Sequence, residues 1–215
     1  MSDYQLVPGL YLAPTPGGAF YAVARPQVER TQQIVLNLLR EDRSPALNQR
    51  NLEALTGLQG EAALEQLYRL QSMHLVQGLR EPRQLAGAAL ENVLPEILAE
   101  LAGPHKALLA DGQGFYLASH GFHHETAEEL AGLSAQLAQV GEHYQGLLRG
   151  NLGLGTSAWA LVNSGGNADL GFWPLHVGSQ RLVLVVAGQP RLNRPALIDL
   201  VWLLVKRLAV HGRNS

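Results

Sequence analysis

Five of the eight histidines, His105, His120, His123, His124 and His143, fall within 39 residues. Imidazoles at that density suggest either metal binding or a response to pH near neutrality. A mononuclear metal site needs three or four ligands in fixed geometry, backed by hydrogen-bonded partners. His120, His123 and His124 instead share one connection ahead of a helix start, where the positive end of the helix dipole disfavours further positive charge. They read as a solvated, pH-responsive loop, and no metal or cofactor is expected. Gly150-Asn151-Leu152-Gly153-Leu154-Gly155-Thr156 is glycine-rich like a phosphate loop, but it lacks the lysine of a Walker loop. It also follows a helix and precedes a strand, the reverse of the nucleotide-binding order. No cysteine is present, so thiol nucleophiles, disulfides and sulfur-ligated metals are excluded. Neither a GxSxG nor an HExxH pattern occurs. Asp111 sits in Asp111-Gly112-Gln113-Gly114, where a carboxylate caps local N–H groups. No catalytic residue is expected.

The chain that positions these residues has 215 residues, 47% of them hydrophobic and 16% charged, which is ample for a packed core. Its net charge is −2, so no global field would gather nucleic acid or anionic lipid. The most apolar stretch, Leu197 to Val205, is nine residues long and contains Asp199. That is too short for a bilayer span of about 20 residues, so it reads as a core helix. The start MSDYQLVPGL lacks a basic segment followed by an apolar run, so no signal peptide is expected and the protein is placed in the cytoplasm.

Glu81-Pro82-Arg83 interrupts two periodic regions, and Leu85 to Ala89 reads as a flexible connection; the expected units are residues 1–84 and 85–215. In the first, Leu10 to Leu12 and Phe20 to Val23 read as a β-hairpin around Pro14-Thr15-Pro16-Gly17-Gly18. Gln27 to Arg40 has helical spacing. Ser44-Pro45 would end that helix and open the next, which carries Leu47, Leu52 and Leu55. A third helix runs from about Gly60 to Met73, and Leu75-Val76 looks like a strand. Three short helices followed by a strand, over residues 27–82, resemble a winged-helix domain. That resemblance implies duplex DNA binding through the third helix. Gln59 to His74, however, offers Arg69 as its only fixed cation against Glu61 and Glu65, so DNA is not the expected partner.

In the second unit a helix from Leu90 to Leu101 ends at Gly103-Pro104. Strands His105–Ala110 and Phe115–Ser119 flank the Asp-Gly turn. Thr126-Ala127-Glu128-Glu129 matches a capping box, so a long helix should run from Thr126 to about Leu148. Strands Ser157–Val162, Asp169–Val177 and Arg181–Ala187 follow, then a helix from Arg194 to Val210. Leu94 to Leu101, Ala107-Leu108-Leu109-Ala110-Asp111-Gly112, Leu117-Ala118-Ser119-His120-Gly121 and Ala127 to Leu137 together resemble the roadblock and dynein light chain family, over residues 88–212. The resemblance implies an α+β fold in which a five-stranded antiparallel sheet lies between helices. It also implies a non-catalytic protein that dimerises and binds other proteins. The bacterial members most like it are of the mutual-gliding-motility B type, which docks a small Ras-like GTPase. Pro174 falls inside the fourth strand, which a bulge or an end of pairing would accommodate.

Along the long helix, Leu130, Leu133, Leu137, Val140, Tyr144 and Leu147 form a stripe expected to pack on the sheet. Beside it lie Ala127, Ala131, Ala135, Ala138 and Gly141, with Ser134 adjacent. Small residues at this spacing allow close approach of a second backbone, so these six are expected at a homodimer contact. Glu128, Gly132, Gln136, Gln139 and His143 then remain exposed for a partner. The expected function is a regulator or scaffold for a small Ras-like GTPase. The alternative is a winged-helix transcriptional regulator dimerised by its roadblock-like half.

Overall fold

The computed structural model describes residues 4–85 and 90–208, with the side chains of Leu90 and Glu91 also left aside. Most of the expected connection at Leu85 to Ala89, the first three residues and the last two expected positions of the final helix lie outside the described residues. β1 (Tyr11–Pro14) is followed by α1 (Pro16–Val23), α2 (Arg30–Arg40), α3 (Gln49–Thr56), α4 (Gly60–Ser72) and β2 (Val76–Leu79). Then come α5 (Leu90–Ala102), β3 (Ala107–Asp111), β4 (Tyr116–His120) and α6 (His124–His143). A π-helical turn at Gly146–Asn151 leads to β5 (Trp159–Val162), β6 (Ala168–Val177), β7 (Gln180–Ala187) and α7 (Pro195–Leu208). From α5 onward this is the order that the roadblock resemblance implied. The fold is mixed α+β, with a five-stranded antiparallel sheet in the order β4-β3-β7-β6-β5.

The amino-terminal hairpin does not form. Phe20 to Val23 is helical because Thr15 caps a helix that starts with Pro16, its Oγ1 accepting from Gly18 N at 2.9 Å. Proline at the first helical position has the right φ and needs no donor, so Thr15-Pro16 outweighs the apolar run. β1 pairs instead with β2, Tyr11 opposite Leu79. Pro45 likewise does not open the next helix. Asn48 caps α3 by accepting from Asn51 N at 2.9 Å, while Ser44 N donates to Arg83 O at 2.8 Å. Gln32 is buried and ties α1 to α2, receiving Glu29 N–H at 3.0 Å and donating to Tyr21 O at 2.9 Å. α2, α3, α4 and β2 follow one another in the expected sequence.

The sheet sorts its side chains by alternation. Ala107, Leu109, Leu182, Leu184 and Val186 face a core shared with α5 and α7, and Leu108, Ala110, Val183 and Val185 face α6. Ala196 to Val205 is buried apart from the half-buried Asp199, so α7 is covered all round. One flank of that cover is amino-terminal: Ala19, Ala22, Val23, Val35 and Leu39 belong to the same core as Trp202 and Val205. Polar contacts lock the packing. Trp202 Nε1 donates to Glu41 O at 2.9 Å, and Lys206 Nζ donates to Arg40 O at 2.9 Å and meets Asp42 at 2.5 Å. Arg83 holds Asp199 with two nitrogens, at 3.1 and 2.6 Å, and donates to Pro195 O at 3.1 Å. Residues 1–84 and 85–215 thus share one core.

Pro174 is accommodated without a bulge against β7, where pairing runs from Leu170–Ala187 to Val177–Gln180. On the other side, β5 pairs with β6 only as far as Trp159–Phe172, so Pro174 lies beyond that partner's end.

Gly18 sets how close α1 comes to the backbone after α4. A Cβ there would lie 1.8 Å from Leu75 O, whereas one on Gly17 would meet only Thr15 Oγ1 at 3.8 Å. Gly18→Ala should therefore destabilise the protein by about 2–3 kcal/mol, the scale of overpacking against atoms that cannot yield. Gly17→Ala should be neutral or slightly stabilising. Urea denaturation of the two variants side by side would test this, and equal stability would show that α1 does not sit against Leu75.

Candidate functional site

α6 begins two residues earlier than its sequence suggested. His123 is the cap residue and Thr126 already lies within the first turn, so the expected capping box is not made. Gly121, at φ +78°, turns the chain out of β4 close to Lys106, whose Nζ lies 5.8 Å from the Phe122 ring. His124 Nδ1 lies 2.8 Å from Tyr116 Oη and its Nε2 is 3.5 Å from Glu128. His105, His123 and His143 are exposed and His120 is half-buried. Among the described residues no three acidic or imidazole side chains gather as metal ligands. Asp111 accepts from Gln113 N and Phe115 N, both at 2.9 Å, and so is committed to its turn.

The two stripes of α6 exchange their expected roles. Ala127, Ala131, Ser134, Ala135 and Ala138 are all at most 7% exposed. Ala127, Ala131 and Ala138 pack with Leu108, Ala110, Phe172, Val183 and Val185. Gly141 makes room for Trp159, whose Nε1 would be 3.1 Å from a Cβ at that position. Five of the six are therefore buried within the chain, and Gly141 is half-buried beside Trp159. The physical reason is clearance: the β-branched and aromatic residues on this sheet face fill the gap, and only small residues let the helix lie down on them. Ser134 satisfies its hydroxyl within the helix, donating to Ala131 O at 2.8 Å.

The large stripe is displaced to the helix flank. Leu130 and Leu137 do pack, half-buried, against the same cluster, whereas Leu133 and Val140 are 38% and 41% exposed, and Tyr144 and Leu147, past the end of α6, are 50% and 46% exposed. Glu128, Gln136, Gln139 and His143 are exposed beside it and Gly132 is half-buried. α6 thus presents an apolar seam with a polar, weakly charged surface next to it.

A second feature lies where α6 gives way to the π-helical turn. The residues after that turn pass near the β6–β7 hairpin end and border an open cavity of about 190 Å³. Trp159, Leu148, Leu154 and Pro174 supply apolar walls, while Glu142, Arg149, His176 and Arg181 bring polar groups. Arg181 stands opposite His176 in the β6–β7 register, and its Nη1 meets Glu142 at 2.5 Å. Its Nε–H is buried and has no acceptor. Burial holds the His176 imidazole below its ordinary pKa of 6.5; Glu142 opposes that shift, and Arg181 and Arg149 reinforce it. Sequence reading missed this site because its members come from five separate stretches, Pro26 among them, with no local motif.

No protein-family model matches the sequence, and no curated protein matches it either. Solved structures do resemble it. The Roadblock/LC7 domain from Streptomyces avermitilis covers 58% of this chain and 98% of its own, at 19% identity and a TM-score of 0.38. Myxococcus xanthus MglB covers 59% of this chain and 99% of its own, at 18% identity and a TM-score of 0.37. The gliding protein MglB from Thermus thermophilus covers 59% and 96%, at 25% identity and a TM-score of 0.36. Among the described residues no helix is long and apolar enough to cross a membrane.

The depressed His176 pKa has a consequence for stability. Below pH 6.5 the unfolded chain takes up a proton that the folded chain resists, so unfolding becomes more favourable as the pH falls. The loss levels off once the pH passes below the folded pKa. Thermal melts from pH 7.5 to 5 should show a shallower decline for His176→Gln than for the unaltered protein. Identical slopes would place His176 in solvent.

Proposed function

We propose that this chain is a non-catalytic regulator or scaffold that pairs with a second copy of itself and binds or modulates a small Ras-like GTPase. The observation that carries the reading is the seam Leu130, Leu133, Leu137 and Val140 on α6, continued past its end by Tyr144 and Leu147, in which steps of three and four alternate. That is the spacing by which two helices interlock side chains along a shared line, and four of the six side chains are exposed large hydrophobics in the single chain. A two-fold axis beside α6 would bury each seam against its copy. The sequence resemblance to the roadblock family supports the same assembly, and its gliding-motility B type supplies the GTPase as partner. The paired helices would then carry Glu128, Gly132, Gln136, Gln139 and His143 of both copies on one broad polar surface, suited to a transient contact.

The DNA-binding alternative finds less support. The outer face of α4 exposes Glu61, Glu65, Tyr68 and Arg69, two acids against one cation, where phosphate contact calls for positive charge.

Size-exclusion chromatography with light scattering should give a dimer for the unaltered protein and a monomer for Val140→Glu, with thermal stability nearly unchanged because the position is exposed. A monomeric unaltered protein would refute the pairing. For the partner, affinity purification from the native host in GTP and in GDP should recover a small GTPase. Replacing both Gln136 and Gln139 with Arg should weaken that recovery while leaving the dimer intact. Recovery of no GTPase with either nucleotide would remove that half of the reading.

A further inference from the structure

The cavity at the end of α6 has no part in the assembly described above. Its volume of about 190 Å³ is somewhat larger than a dry cavity of about 150 Å³ that admits benzene. A ligand of roughly eight to ten non-hydrogen atoms therefore fits. The apolar side is one continuous wall of Trp159, Pro174, Leu148 and Leu154, and Gly141 leaves room for the indole ring. At the polar side the fixed charges are Arg149 and Arg181 against Glu142, two positive and one negative, for a balance of +1. Arg181 is 15% exposed and already engaged, its Nη1 on Glu142 and its Nη2 on Gly112 O at 3.5 Å, so Arg149 is the cation left over. The excess is thus one cation beside an apolar wall, with His176 as a neutral partner able to donate or accept a hydrogen bond.

We propose that this cavity binds a small monocarboxylic acid with an apolar body, its carboxylate held by Arg149 and its body lying against Trp159 and Pro174. A guanidinium matches a carboxylate in both charge and planar geometry. A neutral molecule of the same shape would leave the positive balance unanswered. The cavity exists because β5 begins only at Trp159 and Pro174 offers no N–H to extend the pairing, so the connection before Trp159 runs past the sheet edge without filling it.

Isothermal titration calorimetry of the full chain with phenylacetate and with 2-phenylacetamide tests this, because the two share a shape and differ in charge. Phenylacetate should bind more tightly than about 1 mM and at least about tenfold more tightly than the amide, the difference expected for one charge-assisted contact. Arg149→Gln should bring phenylacetate down to the affinity of the amide and leave the amide unchanged. Leu148→Trp, which fills the cavity, should abolish binding of both, with circular dichroism confirming that each variant is folded. Phenylacetate binding weaker than about 1 mM, no preference over the amide, or unchanged binding in folded Leu148→Trp would each overturn the proposal.

Discussion

The structure is organised by the need to bury α7. A helix whose residues from Ala196 to Val205 are apolar at all but one position has no face to offer water, so it must be covered all round. The sheet covers one side and α5 a second, and α1 and α2 of the amino-terminal segment supply the remainder. The one acidic residue in that stretch, Asp199, is answered by the bidentate Arg83 from the other half of the chain. Trp202 and Lys206 take up the carbonyls that α2 leaves free at its end, Glu41 O and Arg40 O. A helix terminus that would otherwise need water is thereby tied to the central core. Without the amino-terminal helices, α7 would expose a large apolar surface, so that segment acts as structural cover whatever else it binds.

α6 answers a different constraint. It lies on the opposite face of the sheet from α7, and that face carries Leu108, Phe172, Val183 and Val185. With the sheet supplying the bulk, the helix must supply the gaps, which is why alanines and Ser134 turn inward. The larger side chains are then forced onto the flank, and the same economy of space that buries the small stripe exposes the large one. A seam that looks like core in the sequence becomes the surface with most to gain from a second helix.

That exchange marks the limit of what was legible in the residues. Element order from Leu90 to Leu208 followed from periodicity and turn signals, because Asp111-Gly112, Gly103-Pro104 and the apolar β7 each act within a few residues. Helix starts were less legible. Thr15-Pro16 and Asn48 were the true caps, while Ser44-Pro45 and Thr126 carried capping residue types in places where tertiary packing set the boundary. Which of two stripes faces the sheet could not be read from α6 alone, since both have helical spacing and the choice depends on the volume of residues more than 30 positions away, at Phe172 and Val183. The cavity was invisible for a related reason, its walls being set by the register of β5 on β6.

The two ends of α6 therefore behave differently for one geometric cause. Over β3 and β7, where the sheet is complete, the helix lies close on its alanines. Toward its carboxyl end β5 has not yet begun, Pro174 can offer no N–H to a further strand, and the chain passes into a π-helical turn whose wider winding carries Leu148 and Arg149 over the gap. Tyr144 and Leu147 of the exposed seam flank Gln145 and Leu148 of the cavity wall along the same stretch of chain. The seam and the cavity wall thus draw alternate side chains from one stretch of backbone.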